Sequence, residues 1–292
     1  MRTAGLSLEQ APLIHVPFRF FLTAPLFLLA AALLLGWQGE ALFASRWSPA
    51  ALAATHLIAI GFLGQIMCGA SLQLLPVIAG APVPAVEPVG GTVHLLLALG
   101  AGLLSWGFLG GGQTALTVGA FSSALGFLVF LVFAGAALKG AQGVPQTVWA
   151  MRFAFAALLV TLCLGLVLTA ALLGRVSIEG LAGLVDFHLA WGLLGWLGLL
   201  MVAVAYQVVP MFHVTPPYPV WLSRWLSPVV AVALTLGSLL ALAGADVAAL
   251  LALGVAAIAL CLFAAVTIWL QLRRARRRID ATVLHWWLAM AS

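Results

Sequence analysis

Apolar runs separated by short polar connections cover the chain from residue 18 to residue 272. They fall at 18–36, 50–78, 92–111, 115–138, 149–174, 184–212, 224–244 and 248–272, and a helix that crosses a bilayer needs about 20 such residues. The runs hold Leu, Ala and Gly without alternation at a period of two, which predicts helical spans and argues against an outer-membrane barrel. The expected fold class is all-α, a polytopic membrane helical bundle with about eight transmembrane helices plus a partial ninth. Composition agrees: 65% of the residues are hydrophobic and 7% are charged, against about 25% charged in a soluble domain. No aqueous fold hides that much apolar surface.

A comparison of the two halves predicts two parallel four-helix repeats. Phe18-Arg19-Phe20-Phe21 opens the first helix, and Met151-Arg152-Phe153-Ala154-Phe155 opens the fifth. His56-Leu57 with Gly61 and Gly64 in the second helix matches His188-Leu189 with Gly192 and Gly195 in the sixth. Both helices then end on Gln-x-x-Pro, from Gln73 to Pro76 and from Gln207 to Pro210. The offset is 133 residues for the arginines, 132 for the histidines and 134 for the glutamines and prolines. An even number of helices per copy gives both copies the same orientation, as in repeats related by an axis along the membrane normal. No linker rich in Ser, Pro or charge divides them, so one membrane domain over 1–292 is expected, with repeat units at about 12–140 and 145–272. Residues 273–292 read as a basic loop and an incomplete last segment, Val283–Met290, either an interfacial helix or the start of a third unit.

The net charge of +5 loses its nucleic-acid meaning once the cations are placed along the chain. With a cytoplasmic N-terminus, Arg2, Arg19, Lys139, Arg152, Arg224, Arg273, Arg274, Arg276, Arg277 and Arg278 fall inside, and only Arg46 and Arg175 fall outside. This is a positive-inside distribution; the run 273–278 is also a candidate patch for anionic lipid. The first apolar run is too long for a secretory h-region and is read as retained. Cys68, Cys163 and Cys261 each lie in an apolar run, with no CxxC or CxxCH, so neither a disulfide framework nor a c-type haem is indicated. Walker loops, dinucleotide fingerprints and hydrolase or zinc-protease motifs are missing. None of the seven acidic residues reads as mid-membrane, as a proton-coupled carrier usually requires.

Ionisable groups inside a membrane are costly and are therefore candidates for function. Counted from the predicted helix starts, His56 and His188 lie roughly 6–9 Å below the outer surface, in one layer. Imidazoles from symmetry-related helices could form a bis-His haem site, or each could ligate a different metal. The glycines that follow could leave room for a flat macrocycle, or they could serve close helix packing. Arg46 and Arg175, ahead of the two histidines, could form forks for haem propionates or could be ordinary loop arginines. His15, His94, His213 and His285 form a second layer at the inner ends, where His94 and His213 are candidates for copper. Gln73 and Gln207 are expected to hydrogen-bond neighbouring helices near Pro76 and Pro210, where the backbone lacks a donor.

The sequences Phe-Arg-Phe-Phe-Leu-x-Ala-Pro-Leu-Phe at 18–27, His56-x4-Gly61-Phe62-x6-Gly69 and Pro76-x3-Gly80 resemble the NnrS-type haem–copper membrane proteins associated with nitric oxide stress. More distantly they resemble subunit I of the haem–copper oxidases. The similarity covers residues 18–112, and the second half mainly through the repeat. It implies four-helix arcs, a third of which would begin at the last apolar segment. It also implies b-type haem with copper as a further cofactor, His56 as ligand of a low-spin haem, and His188 where oxidases place a copper ligand. A bacterial inner (cytoplasmic) membrane location follows, with a respiratory-chain or cytochrome partner or a homo-oligomer and no nucleic acid. The chain departs from the pattern in having no His-His pair in helix 7, no His-Pro-Glu in helix 6 and one histidine in helix 2. An oxygen- or nitric-oxide-reducing centre is therefore not implied. A cofactor-free transporter or channel on the same repeat is the alternative, with the histidines lining a path and the prolines marking a gate.

Overall fold

The computed structural model describes residues 8–275 and 281–291; Arg2, Arg276, Arg277, Arg278 and Asp280 lie outside the described residues. No strand occurs among the described residues. The helices are α1 (His15–Gln38), α2 (Pro49–Ala79), α3 (Val86–Trp106), α4 (Gly112–Lys139), α5 (Pro145–Leu172), α6 (Leu181–His213), α7 (Val220–Leu242), α8 (Asp246–Leu272) and the short α9 (Ala281–Ala291). Seven helical stretches are long and apolar enough to cross a membrane, and one of them, Val86–Lys139, is 54 residues long. That stretch is a hairpin: the backbone departs from helical geometry at Gly110 (φ 103°) and turns again at Gly112 (φ 88°). Each of its arms, α3 and α4, is long enough to cross, so the described residues hold eight crossing segments. The protein is a multi-pass all-α membrane bundle.

Helix starts and stops follow local chemistry. Ser48 caps α2 by accepting the Ala51 N–H at 3.1 Å, and Pro49 follows at the first helical position, where its missing N–H costs nothing. At the other end, Gly80 adopts the left-handed conformation (φ 57°), and both its own N–H and the Ala81 N–H, the latter at 3.1 Å, reach back to Leu75 O and close the helix. The equivalent residue after α6 is Val214, held at φ 52° although it is β-branched. Such a residue carries a strain of about 1–3 kcal/mol.

The chain divides into two compact units, Met1–Gln142 with Leu162–Leu181, and Gly143–Thr161 with Ala182–Ser292. One border falls after Gln142, and the second half of α5 joins the first unit. There Leu173 packs on Leu104, Leu116 and Ala120.

In the first unit, α1 turns Val16, Phe20, Ala24 and Ala31 inward and Leu22, Leu26, Leu29 and Leu33 outward. The outward stripe is more than half exposed, as lipid contact requires. The hairpin arms approach through small residues. A Cβ at Gly107 would come within 2.6 Å of Leu116 N, one at Gly100 within 2.6 Å of Ser123 N, and one at Gly119 would strike the Leu104 backbone. Ser122 Oγ donates to Leu96 O across the hairpin at 2.8 Å. In the second unit, Gly195 of α6 meets Ala157 of α5 and Leu234 of α7, and Trp191 Nε1 donates to Ser238 Oγ at 3.0 Å. Tyr206, Tyr218 and Phe263 form an aromatic cluster. Thr267 donates its hydroxyl to Phe263 O, so Tyr218 is the donor in its 2.9 Å bond to Thr267 Oγ1. Burial pushes the Tyr218 phenol above its ordinary range.

Two stability changes follow. Gly119→Leu is expected to destabilise the hairpin by about 1–3 kcal/mol through backbone overpacking, read as a lower thermal midpoint in detergent. Val214→Gly removes a left-handed β-branched residue that is 49% exposed, and the same measurement should show a gain of about 1 kcal/mol.

Candidate functional site

His56 and His188 are each the eighth residue of their helix, counting from Pro49 and from Leu181. Seven residues at the helical rise put both about 10 Å from the helix start, slightly deeper than the sequence predicts. His56 belongs to the first compact unit and His188 to the second, so each is defined by its own surroundings.

His56 Nδ1 lies 2.8 Å from Leu52 O. A carbonyl only accepts, so Nδ1 carries the proton and Nε2 keeps the lone pair. The ring is half-buried and tilted against Phe108, with centroids 5.1 Å apart. One turn earlier, Ser105 Oγ donates to Ala53 O at 3.2 Å and ties α2 to α3 at this level. His188 reaches the same protonation by a different route: Nδ1 bonds Thr161 O of α5 at 3.1 Å, which again leaves the lone pair on Nε2. A backbone carbonyl behind the ring nitrogen is the arrangement that orients a metal-ligating imidazole. It also satisfies a plain core histidine.

After each histidine the helix widens into an eight-residue π-helix, Leu57–Gly64 in α2 and Trp191–Gly198 in α6. Each leads into fifteen residues of ordinary α-helix, Gln65–Ala79 and Leu199–His213. The π segments stand 134 residues apart, the offset of the Gln-x-x-Pro landmarks, whereas the histidines stand 132 apart. His56 therefore directly precedes its π segment, and His188 lies three residues before its own. Two residues rotate a side chain by about 200° about a helix axis, so the imidazoles match in depth but not in direction relative to the widened turn. Sequence periodicity missed these segments, because a widened turn leaves the residues of an all-apolar run unchanged. Their glycine-rich composition was the available signal.

The glycines do not leave a slot for a macrocycle. Phe27 fills the space over Gly61, and the Phe127 ring would lie 2.9 Å from a Cβ at Gly64. In the second unit Ala157 and Leu234 close on Gly195, Leu260 closes on Gly198, and Thr161 sits in ordinary contact with Gly192. Of the two readings of these glycines, close helix packing accounts for the contacts at these positions.

His94 Nε2 lies 2.9 Å from Thr23 Oγ1, and Thr23 gives its own proton to Arg19 O at 2.8 Å. His94 Nε2 is therefore the donor, and the lone pair rests on Nδ1. Phe20 meets the ring edge-on at 5.4 Å. Gln65, fully buried and not singled out from the sequence, donates Nε2 to His94 O at 3.2 Å, while its Oε1 has no partner. Eleven residues of α3 separate His94 from Ser105, which meets α2 one turn before His56, so the two histidines sit at different levels of the first unit.

His213 closes α6, 4% exposed, with its ring edge-on to Trp286 at 6.2 Å. Arg46, exposed on the connection before α2, holds its guanidinium 5.1 Å from the centre of the Trp47 ring. Arg175 is exposed on the connection after α5, where its N–H bonds Ala170 O. His15 lies 3.9 Å from Glu87 at the surface, and His285 bonds Ala281 O within its own helix. Gln207 reaches Thr147 Oγ1 at 3.4 Å, as expected, whereas Gln73 Oε1 is buried without a partner. No group of three or more His, Cys, Asp or Glu that could hold a metal ion occurs among the described residues.

No family model matches this chain, no curated protein matches it in sequence, and no solved structure matches its fold.

The packing at the π segment is open to a double-mutant cycle. Gly61→Ala alone should cost about 1–3 kcal/mol by collision with Phe27. Combined with Phe27→Ala, the loss should fall well below the sum of the single losses, as read by denaturant unfolding in micelles. An additive result would show that Phe27 does not fill this gap.

Proposed function

We propose that this protein is a haem-binding membrane protein of the haem–copper oxidase subunit I-like class, resident in a bacterial inner membrane with its N-terminus cytoplasmic. It would serve electron transfer, the response to nitric oxide or another diatomic gas, or metal handling. One observation carries the reading: in both repeats the eighth residue of the second helix is a histidine, held through Nδ1 by a backbone carbonyl.

The donor chemistry fits a single imidazole ligand from each unit, since a neutral ring with Nδ1 anchored presents Nε2 to iron. His56 in the first unit and His188 in the second would each be a ligand within its own unit, and Arg46 and Arg175 are the cations the sequence offers for propionates. The filled glycine positions direct any macrocycle away from Gly61 and Gly64. A bound haem would supply one-electron exchange and gas binding. The chain's own part is to fix the ring orientation through Leu52 O and Thr161 O and to shield the ligand with Phe108. A subsidiary copper site at His94 would use Nδ1, because Nε2 is committed to Thr23.

A second reading, a cofactor-free transporter or channel, is favoured by the buried amide oxygens of Gln65 and Gln73, which have no partner and would suit a polar path. The two readings separate on colour. Purified protein reduced with dithionite should show Soret and α bands, changed by carbon monoxide if iron has an open position. His56→Ala and His188→Ala should each remove or shift the bands while leaving the detergent elution profile unaltered. A colourless, metal-free preparation would reject the haem reading, and solute flux through proteoliposomes would then support the second.

A further inference from the structure

We propose that an anionic phospholipid headgroup binds where α8 ends and α9 passes it, in a hollow lined by Leu272, Arg273, Arg274 and Trp287. This site lies within the second compact unit and is independent of any metal at the histidines. The hollow measures about 390 Å³, enough for a phosphate and part of its glycerol. Two of its four lining residues are cationic and none is acidic.

The polar groups around it are arranged as donors in want of an acceptor. Arg274 gives Nη1 to Gln271 O at 2.8 Å and holds its guanidinium 5.6 Å from the centre of the Trp287 ring. Its Nε is buried with no partner, and so is the Trp287 indole N–H. One turn back, Gln271 is 0% exposed, and neither atom of its amide is hydrogen-bonded. Buried donors without acceptors are costly, and they sit here beside two guanidinium groups. A phosphodiester is an acceptor-only anion that would suit the N–H donors of Arg274 and Trp287.

Depth selects a lipid as the source of the phosphate. α8 is a 27-residue apolar helix that ends at Leu272, so the arginines follow the last turn of a membrane span. Trp269, on which Arg273 stacks at 3.9 Å, and the Trp286–Trp287 pair mark the headgroup level, where indoles gather. Basic residues directly following a span attract anionic lipid. The backbone holds the hollow's edge in place: the Ala275 N–H bonds Val214 O at 2.9 Å, joining the end of α8 to the end of α6.

The test uses the full-length protein, delipidated in neutral detergent and titrated with phosphatidylglycerol, phosphatidylcholine or inorganic phosphate, with bound lipid counted by native mass spectrometry. Wild type should hold one phosphatidylglycerol at least tenfold more tightly than phosphatidylcholine, and inorganic phosphate should not displace it at the same concentration. Trp287→Phe keeps the ring and removes the N–H, so it should weaken phosphatidylglycerol several-fold. Arg273→Gln with Arg274→Gln should abolish the preference for the anionic lipid. If the double variant does not fold, Arg274→Lys serves instead and should lose at least threefold in affinity. Equal binding of the two lipids, displacement by free phosphate, or unchanged affinity in Trp287→Phe together with Arg274→Lys would each overturn the proposal.

Discussion

Within a bilayer, contact between two apolar helix faces gains nothing from the hydrophobic effect, because lipid tails are as apolar as leucine. What holds such a bundle is how closely backbones can approach and how many buried polar groups find partners. The α3–α4 hairpin shows the first device most clearly. Gly100, Gly107 and Gly119 bring the arms so near that one methyl group would meet backbone. The large side chains do the reverse of what they do in water, since Leu22, Leu26, Leu29 and Leu33 face outward and the interior between helices is built from small residues.

That close approach bears on the surroundings of His56. In α2, Phe27 and Phe127 fill the space that Gly61 and Gly64 open, and these glycines belong to the π segment that follows His56. A π turn holds an additional residue without lengthening the helix by a full turn, and such turns are frequent at functional sites. Here it lets an eight-residue stretch carry glycines toward neighbouring rings while the fifteen residues after it resume ordinary helix. The recurrence of the same device in α6, at the offset of the Gln-x-x-Pro landmarks, makes it a property of the repeat. The histidines sit just ahead of it, in the last ordinary turns, where the backbone carbonyls of Leu52 and Thr161 can fix the ring.

Buried polarity is the second device, and it is unevenly satisfied. Thr23, Arg19, His94 and Gln65 form a connected set joining α1, α2 and α3, and Tyr218 with Thr267 closes the aromatic cluster of the second unit. Against these, the amide of Gln271, the Nε of Arg274 and the indole N–H of Trp287 gather at the end of one span without acceptors. A low dielectric raises the cost of each unpaired group. A cluster of unpaired donors at headgroup depth is therefore a chemical signature, whereas the same groups spread over an aqueous surface would mean little.

The sequence by itself determined the class of the protein, the approximate ends of its eight long helices and the two-copy order of landmarks. Each rests on composition and on spacing along the chain, which the requirement for internal backbone hydrogen bonds in lipid turns directly into helices. His56 and His188 could each be counted to within a turn of their place in their own helix for the same reason, because height in a helix is proportional to residue count. What the glycines do was not legible, because whether a gap admits a ligand or a phenyl ring depends on Phe27 and Phe127, tens of residues away in the chain. Nor was the different setting of each histidine ahead of its own π segment, because an uninterrupted apolar run does not register a widened turn. The donor cluster at Arg274 and Trp287 likewise exists only once α9 folds back against the end of α8. Direction, filling and partnership are relations between segments, and only the tertiary structure decided them.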